Sequence, residues 1–461
     1  MIRRLLLVTT AIALASCAAT PPPALQPGDV PSSFEQSAPA NAPVWPAADW
    51  WTAYNDPQLS QLITQAQAGN LDVAQAAARL RQADARARQA GAALLPSLGA
   101  NGAVNSLYGQ TNGTSAHETD YSAGLEASYE LDFWGKNRAG LDAADAAGRA
   151  SRADRATVAL TVTASVANTY FQLLSLRERI AVAHANLKSS EDILNLVQRR
   201  AAAGYAANAD LTQQRAAMAA ERAVLPALEQ QELEARNALA ILLGRPPEGF
   251  AITGNGLGAL TSPAVAPGLP SALLQRRPDI AAAEANLAGA HADIAAARAA
   301  FFPAINLTAG GGIAYPALAA AIDTLPGLGL AAGVGATLAQ TIFDGGKTQG
   351  RLDETRARED ELLAVYRAAI IASFQDVENA LGSYAHLGAQ ETALRDQADQ
   401  AEKVLGAAQR KYIAGYADFL AVTDAQRALY AARDQLSDIR RARLAASVAL
   451  YKALGGGFSV H

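Results

Sequence analysis

In "DYSAGLEASYELD", residues 120–132, Tyr121, Ala123, Leu125, Ala127, Tyr129 and Leu131 alternate with Asp120, Ser122, Gly124, Glu126, Ser128, Glu130 and Asp132. A period of two over more than ten residues marks a strand with one apolar and one wet face. Upstream, Leu98, Ala100, Gly102, Val104 and Tyr108 alternate with Asn101 and Asn105. Residues about 97–108 and 119–132 therefore read as the arms of a hairpin turning at "GQTNGTSAH" (109–117). A second hairpin reads over about 304–315 and 328–342. Its first arm sets Ile305, Leu307, Ala309, Ile313 and Tyr315 against Asn306 and Thr308, and its turn is "PALAAAIDTLPG" (316–327). In the last arm Leu328, Leu330, Ala332, Val334, Ala336 and Leu338 oppose glycines and threonines. Each arm is long enough to cross a bilayer at a tilt.

Around the hairpins the pattern is helical. A helix runs from about Pro57 to Leu95, broken near Gly69-Asn70 and stopped by Pro96. The next covers Lys136 to about Ala203, or roughly 100 Å at 1.5 Å per residue, and a shorter one returns over about Asp210 to Leu243. The later half repeats the order over 279–302, 347–413 and 418–453. Such lengths exceed an ordinary globular helix and imply coiled-coil packing. Half of the residues are hydrophobic but only 6% aromatic, and abundant alanine suits thin, closely apposed helices.

The chain is written twice. "RARQAGAALLPSL" (86–98) is echoed by "DIAAARAAFFPAI" (293–305), "ELDFWGK" (130–136) by "QTIFDGGK" (340–347), and "AAGYAANADL" (202–211) by "IAGYADFLAV" (413–422). Pro96 and Pro303 are 207 residues apart, whereas Lys136 and Lys347, and Tyr205 and Tyr416, are 211 apart. The second unit therefore carries four extra residues between these landmarks, and insertions usually fall in loops. The repeats are assigned to 55–244 and 270–455, joined by a linker at 245–269 and followed by a tail at 456–461.

Four strands cannot close a barrel, and open sheet edges do not survive in hydrocarbon. Two copies would give eight strands and a filled interior; three would give twelve and leave a wet lumen.

Arg3 and Arg4 followed by the apolar run Leu5 to Leu14 have the order of a secretory signal, residues 1–16. Leu14-Ala15-Ser16-Cys17 resembles the lipobox of bacterial lipoproteins and holds the chain's one cysteine. The resemblance implies cleavage before Cys17 and acylation there, with Ala18 sorting the protein to the outer membrane. Two or more acyl chains anchor stably. Residues 17–50 form a proline, alanine and serine tether, expected to bury nothing before about Trp45, with Trp45, Trp50 and Trp51 packing its end.

No catalytic constellation emerges. His117, His184, His291, His386 and His461 are scattered, with no metal-ligand spacing. "GNGLGAL" (254–260) lacks the strand-to-helix context of a phosphate loop and reads as linker. The formal charge of −5, without a basic block, argues against nucleic acid. Neither cofactor nor enzymatic activity is expected.

The lipobox, "DWWTAYNDPQL" (49–59), "ELDFWGK", "RRPDI" (276–280), "FDGGK" (343–347) and "YIAGYADFLAVTDAQRAL" (412–429) together resemble the outer-membrane efflux proteins, the TolC-like channels of the OprM and NodT lipoprotein type. The resemblance implies a homotrimer: a twelve-stranded β-barrel in the outer membrane continued by an all-α tunnel of long helices through the periplasm. It implies a passive exit duct fed by a periplasmic adaptor and an inner-membrane RND-type transporter, closed at rest by inward-leaning coils. A channel for type I protein secretion, or a non-conducting periplasmic scaffold, stays open at this point.

The two helix-to-helix turns carry the gate candidates. Asp424 matches a family aspartate, Asp418 precedes it, and Asp210 sits at the repeat position of Ala421, where a second ring-forming aspartate can occur. Asp418 could equally cap the following helix. Tyr205 and Tyr416 follow turn glycines, and Arg199, Arg200, Arg410 and Lys411 are placed to pair between coils. Trp134 and Tyr129 suit a membrane interface.

Overall fold

The computed structural model describes residues 30–36, 45–111, 114–254, 256–261, 263, 270–315 and 329–459. The leader, Cys17, much of the tether, the second hairpin's turn and His461 lie outside these. Among the described residues four strands, β1 (Ser97–Thr111), β2 (Thr114–Leu131), β3 (Ala304–Tyr315) and β4 (Gly329–Ala339), accompany seven α-helices. These are α1 (Pro57–Gly69), α2 (Leu71–Ala92), α3 (Lys136–Ala202), α4 (Asn208–Leu242), α5 (Pro278–Ala299), α6 (Lys347–Ile413) and α7 (Phe419–Ala453). Among the described residues no helix is long and apolar enough to cross a membrane.

Contacts divide the chain into two compact units. The first contains residues 79–152 and 282–367. Its strands form one antiparallel sheet in the order β1-β2-β3-β4. The register aligns Leu98, Ala127, Ala309 and Val334 in one row, and Ala100, Leu125, Gly311 and Ala332 in the next. Every strand thus turns its apolar set to the same face, while Asn101, Gly124, Glu126, Thr308 and Gly335 fall on the other. Gly124 faces Gly312, where an added Cβ would come within 2.9 Å of the Gly124 Cα.

Helix ends in this unit differ from expectation for one reason. Before Pro96 and Pro303 the last turn tightens to i→i−3 bonds, as in Leu95 N to Ala92 O and Phe302 N to Ala299 O, so α2 and α5 stop three residues early. β4 likewise ends at Ala339 rather than 342, where pairing to β3 stops. At the foot of the sheet Asp132 caps α3, accepting from Asn137 N (2.9 Å) and Arg138 N (2.8 Å).

The second unit contains residues 25–78, 153–281 and 368–461. Its main core gathers Trp50, Tyr54, Leu59, Ile63, Tyr170, Phe171, Leu239 and Val448. Trp50 stacks on Tyr451 at 5.0 Å. Buried Asn70 breaks α1 from α2 by accepting from Asp72 N and Val73 N, and donates to Leu242 O (2.8 Å). Gly69 and Gly244 meet so closely that a Cβ on Gly244 would lie 2.1 Å from Gly69 O, a contact only glycine permits. The linker is pinned across this core: Arg177 donates to Ile252 O and Gly254 O, and the Glu178 carboxylate accepts from Leu257 N.

One expectation is overturned here. The tether buries a side chain well before Trp45: Phe34 is 4% exposed among Leu273, Val377, Leu381, Leu450 and Leu454. Glu35 N and Gln36 N both donate to the Glu378 carboxylate (2.6 and 3.1 Å). A single aromatic in a proline-rich stretch suffices because a carboxylate on the receiving helix satisfies the backbone it brings along.

Candidate functional site: the paired helix turns

The α3–α4 and α6–α7 connections are the same turn made twice. Gly204 and Gly415 adopt φ of 78° and 79°. Tyr205 N bonds Arg200 O and Gly204 N bonds Ala201 O, as Tyr416 N bonds Lys411 O and Gly415 N bonds Tyr412 O. Both are Schellman closures, which require a left-handed residue and so favour glycine. Tyr205 and Tyr416, the next residues, are 76% and 85% exposed.

The side chains do not repeat. Arg200 reaches from the end of α3 to the end of α6, its Nη1 2.8 Å from both Tyr412 O and Ile413 O. Its guanidinium lies 4.7 Å over the Tyr412 ring, placing a cation against both the helix's C-terminal carbonyls and a π face. Tyr412 is buried and packs on Phe419 at 5.4 Å, within a cluster of Ile193, Val197, Leu405, Val422 and Leu429. Burial and the Asp210 carboxylate push the Tyr412 hydroxyl above its ordinary range, against the pull of Arg200.

The other sequence candidates lie differently. Asp418 is the N-cap of α7, accepting from Ala421 N (3.1 Å). Asp424 is exposed, 4.0 Å from Arg427 on its own helix. Asp210 is in the first turn of α4, and Arg199 and Arg410 are exposed. The structure thus joins the hairpins through Arg200 and Tyr412 rather than through these groups.

Sequence reasoning missed a second tie. Ser190 of α3 hydrogen-bonds Glu221 of α4 and Gln426 of α7. Gln426 also donates to Glu221 (3.3 Å), and Gln214 donates to Ser190 O (3.0 Å). Burial raises the Glu221 pKa, opposed by its bonds to Ser190 and Asn186 and by Arg427. Its only sequence signal was polar residues at core-facing helical positions.

In the first unit Trp134 stacks on Phe302 at 4.7 Å and donates from Nε1 to Pro303 O (2.8 Å). It bolts the end of one hairpin to the start of the other while staying 40% exposed. Tyr129, half-buried, pairs with Leu307 on the apolar face. Among the described residues no group of three metal-ligating side chains occurs.

This duplicated arrangement matches the outer membrane efflux protein family over residues 62–245 and 269–456. The chain belongs to that family. An outer membrane efflux protein named for pyoverdine export, OpmQ of Pseudomonas aeruginosa, is 41% identical, with 99% of this chain and 97% of the relative covered. The cation efflux system protein CusC of Escherichia coli is 30% identical over 98% of this chain and 99% of its own length. Among solved structures, the outer-membrane channel OprN superposes with a TM-score of 0.87 at 28% identity, covering 95% of this chain and 99% of that one. The fold is therefore that of an outer-membrane efflux channel subunit, with a barrel-forming sheet and long tunnel helices.

Proposed function

We propose that three copies assemble into the passive exit duct of a tripartite efflux pump, receiving small molecules from an inner-membrane RND-type transporter through a periplasmic adaptor. The observation that carries this is the sheet itself. All four strands present one apolar and one wet face in common register, and both edges are open, which suits lipid outside and water inside only once other copies close the ring. The relatives named for pyoverdine export and cation efflux favour small cargo over protein export. Their differing cargoes suit a duct whose selection is made upstream. Cys17 supplies a lipid anchor, and the Arg200–Tyr412 contact holds the helix turns in their resting arrangement, with Asp424 and Asp210 available to attract cations.

Planar-bilayer conductance of the detergent-purified, mass-checked oligomer tests this reading. Small, cation-selective, mostly closed currents from a trimer are expected. An intact trimer that passes no current, even with Arg200 replaced, would leave only a scaffold.

A further inference from the structure

A trough of about 530 Å³ runs along α7 in the second unit, a volume within the range of small-molecule sites. Its floor is Ala442, Ala445, Ala446 and Ala449, and its walls include Thr161 of α3 with Asp376, Asn379 and Ser383 of α6. One end is charged. There the buried Arg277 donates to Asp279 (2.6 Å), to Asp376 Oδ2 (2.9 Å) and to Ala453 O (3.2 Å), so one guanidinium ties Asp376 to the end of α7. Two carboxylates share that cation, which leaves one negative charge in excess on the Asp376 side. Lys452, beside Ala453, supplies a positive charge and has no ion-pair partner among the described residues. The other end is apolar: Leu387 lines it next to Gly388, which packs on Arg443 beside Ala442. Ala442 and Lys452 are ten positions apart, about 15 Å along a helix.

The trough is not imposed by the repeat. At the offset of 211, Gln231 and Glu234 stand where the second repeat has Ala442 and Ala445, and Ser165 and Ile241 where it has Asp376 and Lys452. The second repeat therefore holds methyl groups in place of two long polar side chains, and one charge of each sign where the first holds neither. Depth and a two-signed head occur together in one half of the chain only.

We propose that the trough is a resting site for cargo on the wall of the duct, taking a small zwitterionic amphiphile. The amine of the ligand lies against Asp376, whose Oδ1 accepts no hydrogen bond among the described residues. Its carboxylate meets Lys452 and the Thr161 hydroxyl, and its apolar body follows the alanines toward Leu387. This rests on the exit-duct reading above and adds a class of ligand to it. The strap gives the direction in which the trough opens. Phe34 packs on Val377 and Leu381, and the strap's backbone binds Glu378, whereas Asp376, Asn379 and Ser383 project from the opposite side of α6, since successive helical residues turn by about 100°. A strap leading back to a lipid anchor lies outside the tunnel, so the trough faces the bore.

The probe is 2-aminodecanoic acid, whose head carries both charges, with decanoic acid and decylamine as single-charge controls. Equilibrium dialysis at neutral pH against the full-length oligomer in amphipol should show a saturable component for 2-aminodecanoic acid. It should be about ten-fold tighter than for either control, the effect of one hydrogen bond to a charged group. Lys452→Met and Asp376→Asn should each weaken it by a similar factor. Ala445→Glu, which fills the floor with the side chain that Glu234 carries in the first repeat, should abolish it while native mass and melting temperature hold. Uptake that rises only linearly, as partition into amphipol does, overturns the site. So does a saturable component unchanged in both Lys452→Met and Ala445→Glu. In planar bilayers the same molecule should reduce the open-channel current of the wild type and not of Ala445→Glu. Saturable binding that leaves the current untouched overturns the placement in the bore, whereas silent channels with that binding intact tell against the duct and support the trough.

Discussion

The Arg200 guanidinium sits 4.7 Å above the Tyr412 ring while its Nη1 binds the Tyr412 and Ile413 carbonyls, so one side chain joins the ends of the two longest helices. The bond is not fully compensated. Arg200 Nε and the Tyr412 hydroxyl are buried without a hydrogen-bond partner among the described residues, and each such orphan costs about 1–3 kcal/mol. Charged hydrogen bonds contribute about 1.5–3 kcal/mol, so the contact is suited to opening. Arg200→Ala should raise mean single-channel conductance or open probability several-fold, and Arg200→Lys should do so less. Identical traces from all three proteins would remove Arg200 from the gate.

Glu221 gives the helix bundle a pH dependence of definite sign. Burial raises its pKa in the folded chain, so the fold binds its proton more tightly than the unfolded chain does. Stability attributable to this group is greatest in acid and falls as pH rises from the ordinary carboxylate value through the raised one. Glu221→Gln keeps a donor and an acceptor for Ser190 and Gln426 while removing the charge. It should flatten that decline and raise the melting temperature at neutral pH by a degree or two; a lower neutral melting temperature would contradict this.

The sheet's two faces should label oppositely. Cysteines at Ala123, Leu125 and Ala127 should react with lipid-soluble probes, and those at Ser122, Glu126 and Ser128 with water-soluble ones. Gly124 is unsuitable, since an added Cβ would lie 3.2 Å from Asn101 Oδ1 and from Gly311 O. Mixed labelling along β2 would overturn the membrane-spanning reading.

Phe34→Ala should release the strap at residues 30–36. Removing a buried phenylalanine costs about 3–5 kcal/mol, more than one short segment retains by other contacts. Limited proteolysis should then cut near residue 36 several-fold faster while the rest stays resistant. Glu378→Gln should give a smaller increase.

Cys17→Ser should abolish incorporation of radiolabelled palmitate. Continued incorporation would place the anchor elsewhere.

Much of this was legible in the sequence because the strands announce themselves by parity and the turns by glycine. Tyr121 to Leu131 fixed which face is apolar, and Gly204 and Gly415 marked both helix ends. Less legible was anything set by tertiary partners. Arg199, Arg200, Arg410 and Lys411 look alike in sequence, yet only the rotational position of Arg200 on α3 brings it to Tyr412. Asp418 carried two readings, and its place directly before α7 commits its side chain to the backbone. Phe34 could not be located because the cavity that receives it is assembled from α6, α7 and the segment around Leu273.

The seating of Phe34 also turns the N-terminal segment into a leash of known length. Phe34 lies seventeen positions after Cys17, and a fully extended chain of that span reaches roughly 60 Å. The acyl group proposed above for Cys17 would thereby be confined to a sphere of that radius about Phe34. Unseating Phe34 moves the pivot to Trp45 or beyond and lengthens the radius by more than half, so shortening or lengthening the segment becomes a way to adjust how far the lipid can wander.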